Sequence, residues 1–290
     1  MFPILFQVGS VKIVTLPVVL LIGVFFGIFL FWREAKREYF AEIEIFDLSF
    51  ILILGMIFGG KILVFLSSIL QFGLTLAFFR IWDDFGAFSF WGAILGAVVA
   101  AWLYSNNKDW RFFRILDFGA FAFLGSLVLV WLGNFLAGTA YGATTNLAWG
   151  IFSPYLLGRR HPVQVLAIFG FILIYFVLKW LSRRVHFEGY FFSWFLVFSS
   201  LLLFFLEFLR GDSVYLFTVR VNQIFAVVFF VTGLGLFYRR AKRNIFSDIV
   251  GFLVLVFKAI IKVFKFTKGA IFNIRLSLKY KILSIRRRNY

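Results

Sequence analysis

The sequence predicts an all-α polytopic integral membrane protein. It would have seven transmembrane helices, an outside N-terminus, a cytoplasmic C-terminus and a basic amphipathic tail. Three observations carry that expectation. The 290 residues are 62% hydrophobic with a mean hydropathy of +0.97, well above the roughly 45–50% apolar content of soluble domains. Apolar runs recur at close to the roughly 20 residues that span a bilayer as a helix. The formal charge of +17 sits between those runs and in the tail, where membrane topology uses it. No basic soluble segment exists to carry nucleic-acid binding, so that partner class is excluded. The chain has no cysteine and two histidines, His161 and His186, far apart in the sequence. Disulfides and thiolate chemistry are therefore excluded, and no metal or other cofactor is expected.

The spans follow in order. Residues 13–32 form the first; its positive residues, Arg33, Lys36 and Arg37, come after it, and its apolar run is too long for a cleaved signal, so it reads as a retained helix. The second covers 48–70 and the third about 88–104. Gly23 and Gly27, Gly55 and Gly59, and Gly92 and Gly96 give these three spans one Gly-xxx-Gly step each, a spacing that lets backbones approach closely in lipid. The remaining spans are 115–138, 163–181, 190–210 and 222–238. Connections after the odd-numbered spans hold Arg33, Lys36, Arg37, Lys108, Arg111, Arg114, Arg183, Arg184, Arg239, Arg240, Lys242 and Arg243. The opposite connections hold Arg80, Arg159, Arg160, Arg210 and Arg220. The positive-inside rule makes the first set cytoplasmic and turns the 139–162 connection outward.

Residues 1–243 read as the membrane domain and 244–290 as a separate tail. In the tail Lys258, Lys262 and Lys265 recur at helical spacing among apolar residues. That pattern suits a helix lying on an anionic lipid surface at the cytoplasmic interface.

The polar residues concentrate between Trp131 and Gln164. Asn134, Thr139, Thr144, Thr145, Asn146, Arg159, Arg160, His161 and Gln164 gather in one connection. Polar groups at membrane depth persist where protein or a wet cavity surrounds them, so a site is expected here. Asn134 reads either as helix-to-helix glue or as a headgroup contact. His161 reads as a general base, a phosphate donor or a helix-capping residue; Pro162 beside it suits a helix start. Glu207 and Arg210 form an ion pair at the end of the sixth span or a phosphate contact.

Gly133-Asn134-Phe135-Leu136, Gly138, Tyr141-Gly142, then Trp149-Gly150, Phe152 and Pro154, and Arg160-His161-Pro162-Val163-Gln164 together resemble the signature of the prolipoprotein diacylglyceryl transferase family. The resemblance covers about residues 1–243. Glu207-Phe208-Leu209-Arg210 is similar to the family's Glu-Phe-Phe-Arg run, Gln223 falls where the family has glutamine, and Asp117 resembles the aspartate opening its fourth span. The resemblance implies transfer of a diacylglyceryl group from phosphatidylglycerol to the lipobox cysteine of a lipoprotein precursor, in a bacterial plasma membrane, at a site facing the outer leaflet. Its partners would be a phospholipid and the precursor's signal peptide. On that footing the catalytic candidates are His161 and Arg210. The substrate-binding candidates are Asn134, Gly133, Gly138, Arg160, Gln164, Glu207 and Gln223.

The chain also departs from the family pattern. Trp131 stands for an arginine, Thr139 for a glutamate, Trp91 for a histidine, Leu16-Pro17 for Tyr-Gly, and Leu203 for another arginine. Two readings stay open: a working transferase, and a non-catalytic descendant that binds phospholipid or precursor or acts as a membrane scaffold.

Overall fold

A computed structural model describes residues 2–8, 11–38, 40–72, 88–108, 110–153, 156–216, 218–245 and 247–248. Arg80, Pro154 and nearly all of the 244–290 tail lie outside the described residues. Seven helices are described: α1 (Thr15–Lys36), α2 (Glu42–Phe72), α3 (Phe90–Lys108), α4 (Phe112–Ala137), α5 (Val163–Leu181), α6 (Tyr190–Leu209) and α7 (Val221–Ala241). All but α3 are long and apolar enough to cross a membrane, six in all. This is a multi-pass membrane protein.

Three expected boundaries shift, each for a local reason. The first span was expected from residue 13, but Ile13 and Val14 belong to strand β2 (Val11–Val14), which pairs antiparallel with β1 (Ile4–Val8). The second span, expected from residue 48, begins at Glu42, because Glu42 and Glu44 occupy the first turn, where acidic groups favour the helix dipole. The third extends to Lys108 through Ser105, Asn106 and Asn107; these are polar but helix-compatible, so apolarity ends before the helix does.

Helix α4 is the centre of the bundle. It packs on α1, α3, α5 and α6, and its buried residues include Phe118, Phe121, Leu124 and Leu127. The glycines bring neighbouring helices into backbone contact. A Cβ on Gly96 would lie 1.9 Å from the Gly55 carbonyl oxygen, and one on Gly92 would lie 2.4 Å from that of Gly59. The α2–α3 pair is thus a glycine-lined crossing. On α1, Gly27 faces Ser126 of α4, whose hydroxyl donates to the Gly23 carbonyl at 2.9 Å.

One end of the bundle is held by carboxylates. Glu34 takes ion pairs from Arg33, Arg37 and Lys179, at 3.1, 3.3 and 2.7 Å, which ties α1 to α5. Asp117 of α4 accepts from the backbone N–H of Gly189 at 2.8 Å and of Phe192 at 2.9 Å. A side chain from another helix therefore satisfies the open N–H groups at the start of α6. The opposite end, where α4 and α6 finish and α5 and α7 begin, holds the polar connection.

Candidate functional site

The site is built on one extended segment, residues 141–145, clasped between two others. On one side Ala143 N–H donates to the Leu209 carbonyl at 2.8 Å and Gly211 N–H to the Tyr141 carbonyl at 3.0 Å. On the other, His161 N–H donates to the Ala143 carbonyl at 3.0 Å and Thr145 N–H to the Arg159 carbonyl at 2.9 Å. Gly142 is bridged to Arg210 and Thr144 to Arg160, both antiparallel. Directly paired residues of a ladder share a face, and positions two apart share it too. Arg160 and Arg210 therefore project from the same face of this patch. Gly142 has to be glycine here, because a Cβ would lie 2.2 Å from the His161 carbonyl oxygen.

A second set of contacts ties the end of α4 to the start of α5. Gly138 caps α4 in the left-handed region at φ 77°, a conformation that glycine adopts without steric cost. Past it, the Thr139 hydroxyl donates to the Asn134 side-chain carbonyl at 2.8 Å, and the Gln164 amide donates to the Thr139 carbonyl at 2.8 Å. Thr139 thus holds Asn134 by its oxygen and leaves the Asn134 amide N–H donors without protein partners among the described residues. Gly133 does something else: it is buried against Leu16 and Val19 of α1, as a packing position.

Charge enters from the ends of α6 and α7. Glu207, 2% exposed, faces the Arg210 guanidinium at 3.4 Å and accepts from the Asn222 amide on both oxygens at 3.3 Å. Arg210 donates from Nε to Asp212 at 2.9 Å. Burial opposes the Arg210 charge, yet its hydrogen bonds to Asp212 and Glu207 outweigh that effect and raise its pKa above the ordinary value. Arg160 lies over the Tyr141 ring at 5.0 Å and donates to the Gly142 carbonyl at 3.2 Å. Arg220, in strand β4 (Val219–Arg220) paired with β3 (Tyr215–Leu216), donates to the Glu207 main-chain carbonyl and to the Tyr215 hydroxyl. Four buried polar atoms at this end make no hydrogen bond among the described residues: Arg160 Nε, Gln164 Oε1, Ser213 Oγ and Gln223 Nε2. Buried polar groups are ordinarily satisfied, so these four atoms are open to a water or a ligand.

These contacts link His161, Arg160, Arg210 and Glu207 through the 141–145 segment, with Asn134, Gly138 and Gln164 linked through Thr139. Gln223 begins α7 beside Asn222. The His161 imidazole makes no hydrogen bond among the described residues, so its ring nitrogens are available.

Residues 3–239 match the prolipoprotein diacylglyceryl transferase family. This chain belongs to that family. Among curated relatives, the phosphatidylglycerol–prolipoprotein diacylglyceryl transferase of Clostridium tetani is 31% identical over 219 residues, covering 73% of this chain and 86% of the relative. The same-named protein of Finegoldia magna is 28% identical over 84% of this chain and 97% of its own length. That of Geobacter sulfurreducens is 28% identical over 84% and 96%.

Trp91 and Trp131, read in the sequence as departures from the family pattern, are core-packing residues. Trp91 is 3% exposed and stacks on Phe229 of α7, ring centroids 4.7 Å apart. Trp131 is buried in α4. Neither side chain titrates, so neither does proton transfer.

Sequence reasoning missed the parts played by Arg220, Asn222 and Asp212. A signal for Arg220 was present: it is one of few basic residues in the positive-poor connections, and Arg159, Arg160 and Arg210 are others.

Proposed function

We propose that this chain transfers a diacylglyceryl group from phosphatidylglycerol to the thiol of a lipobox cysteine in a lipoprotein precursor. The observation that carries the reading is the main-chain patch that joins the His161, Arg160 and Arg210 positions around Gly142, in a chain of this family. The precursor's sulfur attacks the diacylglycerol carbon that bears the phosphoester. The carbon–oxygen bond breaks and glycerol phosphate leaves with the electron pair. The thiol proton must go to a base, and the departing phosphate must be met by fixed positive charge. His161 takes the proton on a free ring nitrogen. Arg160 and Arg210 face the phosphate, whose oxygens suit a guanidinium fork. The Asn134 amide donors and Gln164 hold the lipid headgroup; Glu207 orients Arg210 and Gln223 adds a donor at the start of α7.

On this reading the site end faces the outer leaflet of the bacterial plasma membrane and the carboxylate-latched end faces the cytoplasm. Residues 1–243 are the membrane domain, and the 244–290 tail lies on anionic headgroups with its lysines.

The test is incubation of the purified protein with phosphatidylglycerol and a lipobox peptide. The expected product is the thioether-linked diacylglyceryl peptide. His161→Gln should lower kcat by about a hundredfold or more if the imidazole is the base. A second reading is favoured by Trp91 and Trp131, which put apolar bulk where the family signature has a histidine and an arginine. It is a lipid-binding descendant without turnover. Retention of phosphatidylglycerol with no thioether product would establish it in place of the first.

A further inference from the structure

The charge balance at the site end is uneven. Three guanidiniums, of Arg160, Arg210 and Arg220, face two carboxylates, of Glu207 and Asp212, and both carboxylates are engaged by Arg210. Arg160 and Arg220 have neutral partners only among the described residues. Arg160 has the Gly142 carbonyl and the Tyr141 ring. Arg220 has the Tyr215 hydroxyl at 3.1 Å, the Glu207 main-chain carbonyl, and the rings of Phe208 and Tyr215 at 5.7 and 5.6 Å. Hydrogen bonds to neutral oxygens and aromatic faces hold a guanidinium in place without cancelling its charge. Placed in a partly buried setting, such a cation attracts an anion more strongly than one already paired.

Two unpartnered donors belong to the same end of the bundle. Gln223 lies in the first turn of α7, three residues after Arg220, and its buried Nε2 makes no hydrogen bond among the described residues. The buried Arg160 Nε is in the same condition. Both atoms are N–H donors, which suits phosphate oxygens. A continuous chain of contacts runs from Arg160 through Gly142 to Arg210, then through Glu207 to Arg220.

We propose that Arg220 is a further phosphate-binding residue of this site. With Arg160 and Gln223 it binds the phosphodiester of the donor lipid, and it contributes more of the attraction than Arg210, whose charge is already balanced. The proposal rests on the transferase reading for its kinetic arm and stands independently in its binding arm. The outcome for the molecule is a preference for anionic over zwitterionic glycerophospholipid.

The experiment compares wild type, Arg220→Gln and Arg220→Lys in lipid nanodiscs. One arm measures KM for phosphatidylglycerol and for the lipobox peptide. The other measures retention of added phosphatidylglycerol against phosphatidylcholine by native mass spectrometry. Loss of a charge-assisted contact is expected to raise the phosphatidylglycerol KM of Arg220→Gln about tenfold. It should abolish the preference for phosphatidylglycerol and leave the peptide KM unchanged, with at most a small fall in Tm from the lost Glu207 and Tyr215 contacts. Arg220→Lys should retain most of the preference. Unchanged lipid preference in Arg220→Gln, or a fall in Tm with proportional loss of both substrates, would overturn the proposal by leaving Arg220 a brace for Glu207. Wild type that forms no product fails the transferase reading alone, and the retention arm then still decides the part played by Arg220.

Discussion

Glu207 receives the Asn222 amide and the Arg210 guanidinium on its carboxylate and Arg220 on its main-chain carbonyl. It joins the end of α6 to the start of α7 while almost entirely buried. Removing one member of a buried pair leaves the other charge uncompensated. Here Asp212 still faces Arg210, so the loss is softened. Glu207→Ala should cost about 1–3 kcal/mol, the desolvation penalty of the polar groups left unmatched, read as a lower Tm in detergent. Glu207→Gln, which keeps an acceptor for Asn222, should lose less. The pairing of Glu207 with Arg210 was legible in the sequence from their three-residue spacing. The parts of Asn222 and Arg220 were not, because those contacts cross from one helix to the next and depend on how the 210–220 turn folds. Thr139 was legible only as a missing carboxylate, whereas its hydroxyl and its carbonyl join Asn134 to Gln164.

Helices were the most readable elements. The fifth was bounded in sequence by Arg160-His161-Pro162 and by Arg183-Arg184, and α5 runs from Val163 to Leu181 as those signals require. The hairpin of β1 and β2 was not readable, since apart from the paired Gln7 and Lys12 its residues are apolar and blend into the span that follows. The Gly-xxx-Gly steps announced close packing without naming their partners. The structure pairs α2 with α3 and sets α1 against α4. That pairing predicts a sharp contrast between two glycines. A methyl at Gly96 would collide with the Gly55 carbonyl, and both atoms belong to helix backbones that cannot yield separately. Gly96→Ala should therefore force the crossing apart and cost about 1–3 kcal/mol, as overpacking does. Gly235 on α7 meets nothing within 4 Å. Gly235→Ala should be neutral or stabilise by up to about 1 kcal/mol through helix propensity. Thermal unfolding of the two variants side by side checks the contrast; equal effects would mean that the α2–α3 crossing is not as close as described.

For the molecule as a whole, lysine and arginine placement predicts an orientation, and the fold supplies a way to measure it. Leu157, in the connection before α5, is 92% exposed, and Val185, in the connection after it, is fully exposed. Between them α5 has 19 residues, roughly 28 Å of helix at 1.5 Å per residue, about the thickness of the hydrocarbon core. The two positions should therefore lie on opposite sides of the membrane. The natural chain has no cysteine, so Leu157→Cys and Val185→Cys each place one thiol in an otherwise unreactive protein. A membrane-impermeant maleimide applied to intact spheroplasts should label Leu157→Cys at once and Val185→Cys only after the membrane is opened. The basic residues flanking Val185, Arg183 and Arg184, are what should hold that side in the cytoplasm. The reverse labelling pattern would turn the molecule over and put the arginine patch on the inner leaflet, out of reach of an acceptor on the outer face. Labelling of both thiols from outside would mean that α5 does not span, and the seven-helix topology would have to be redrawn around it.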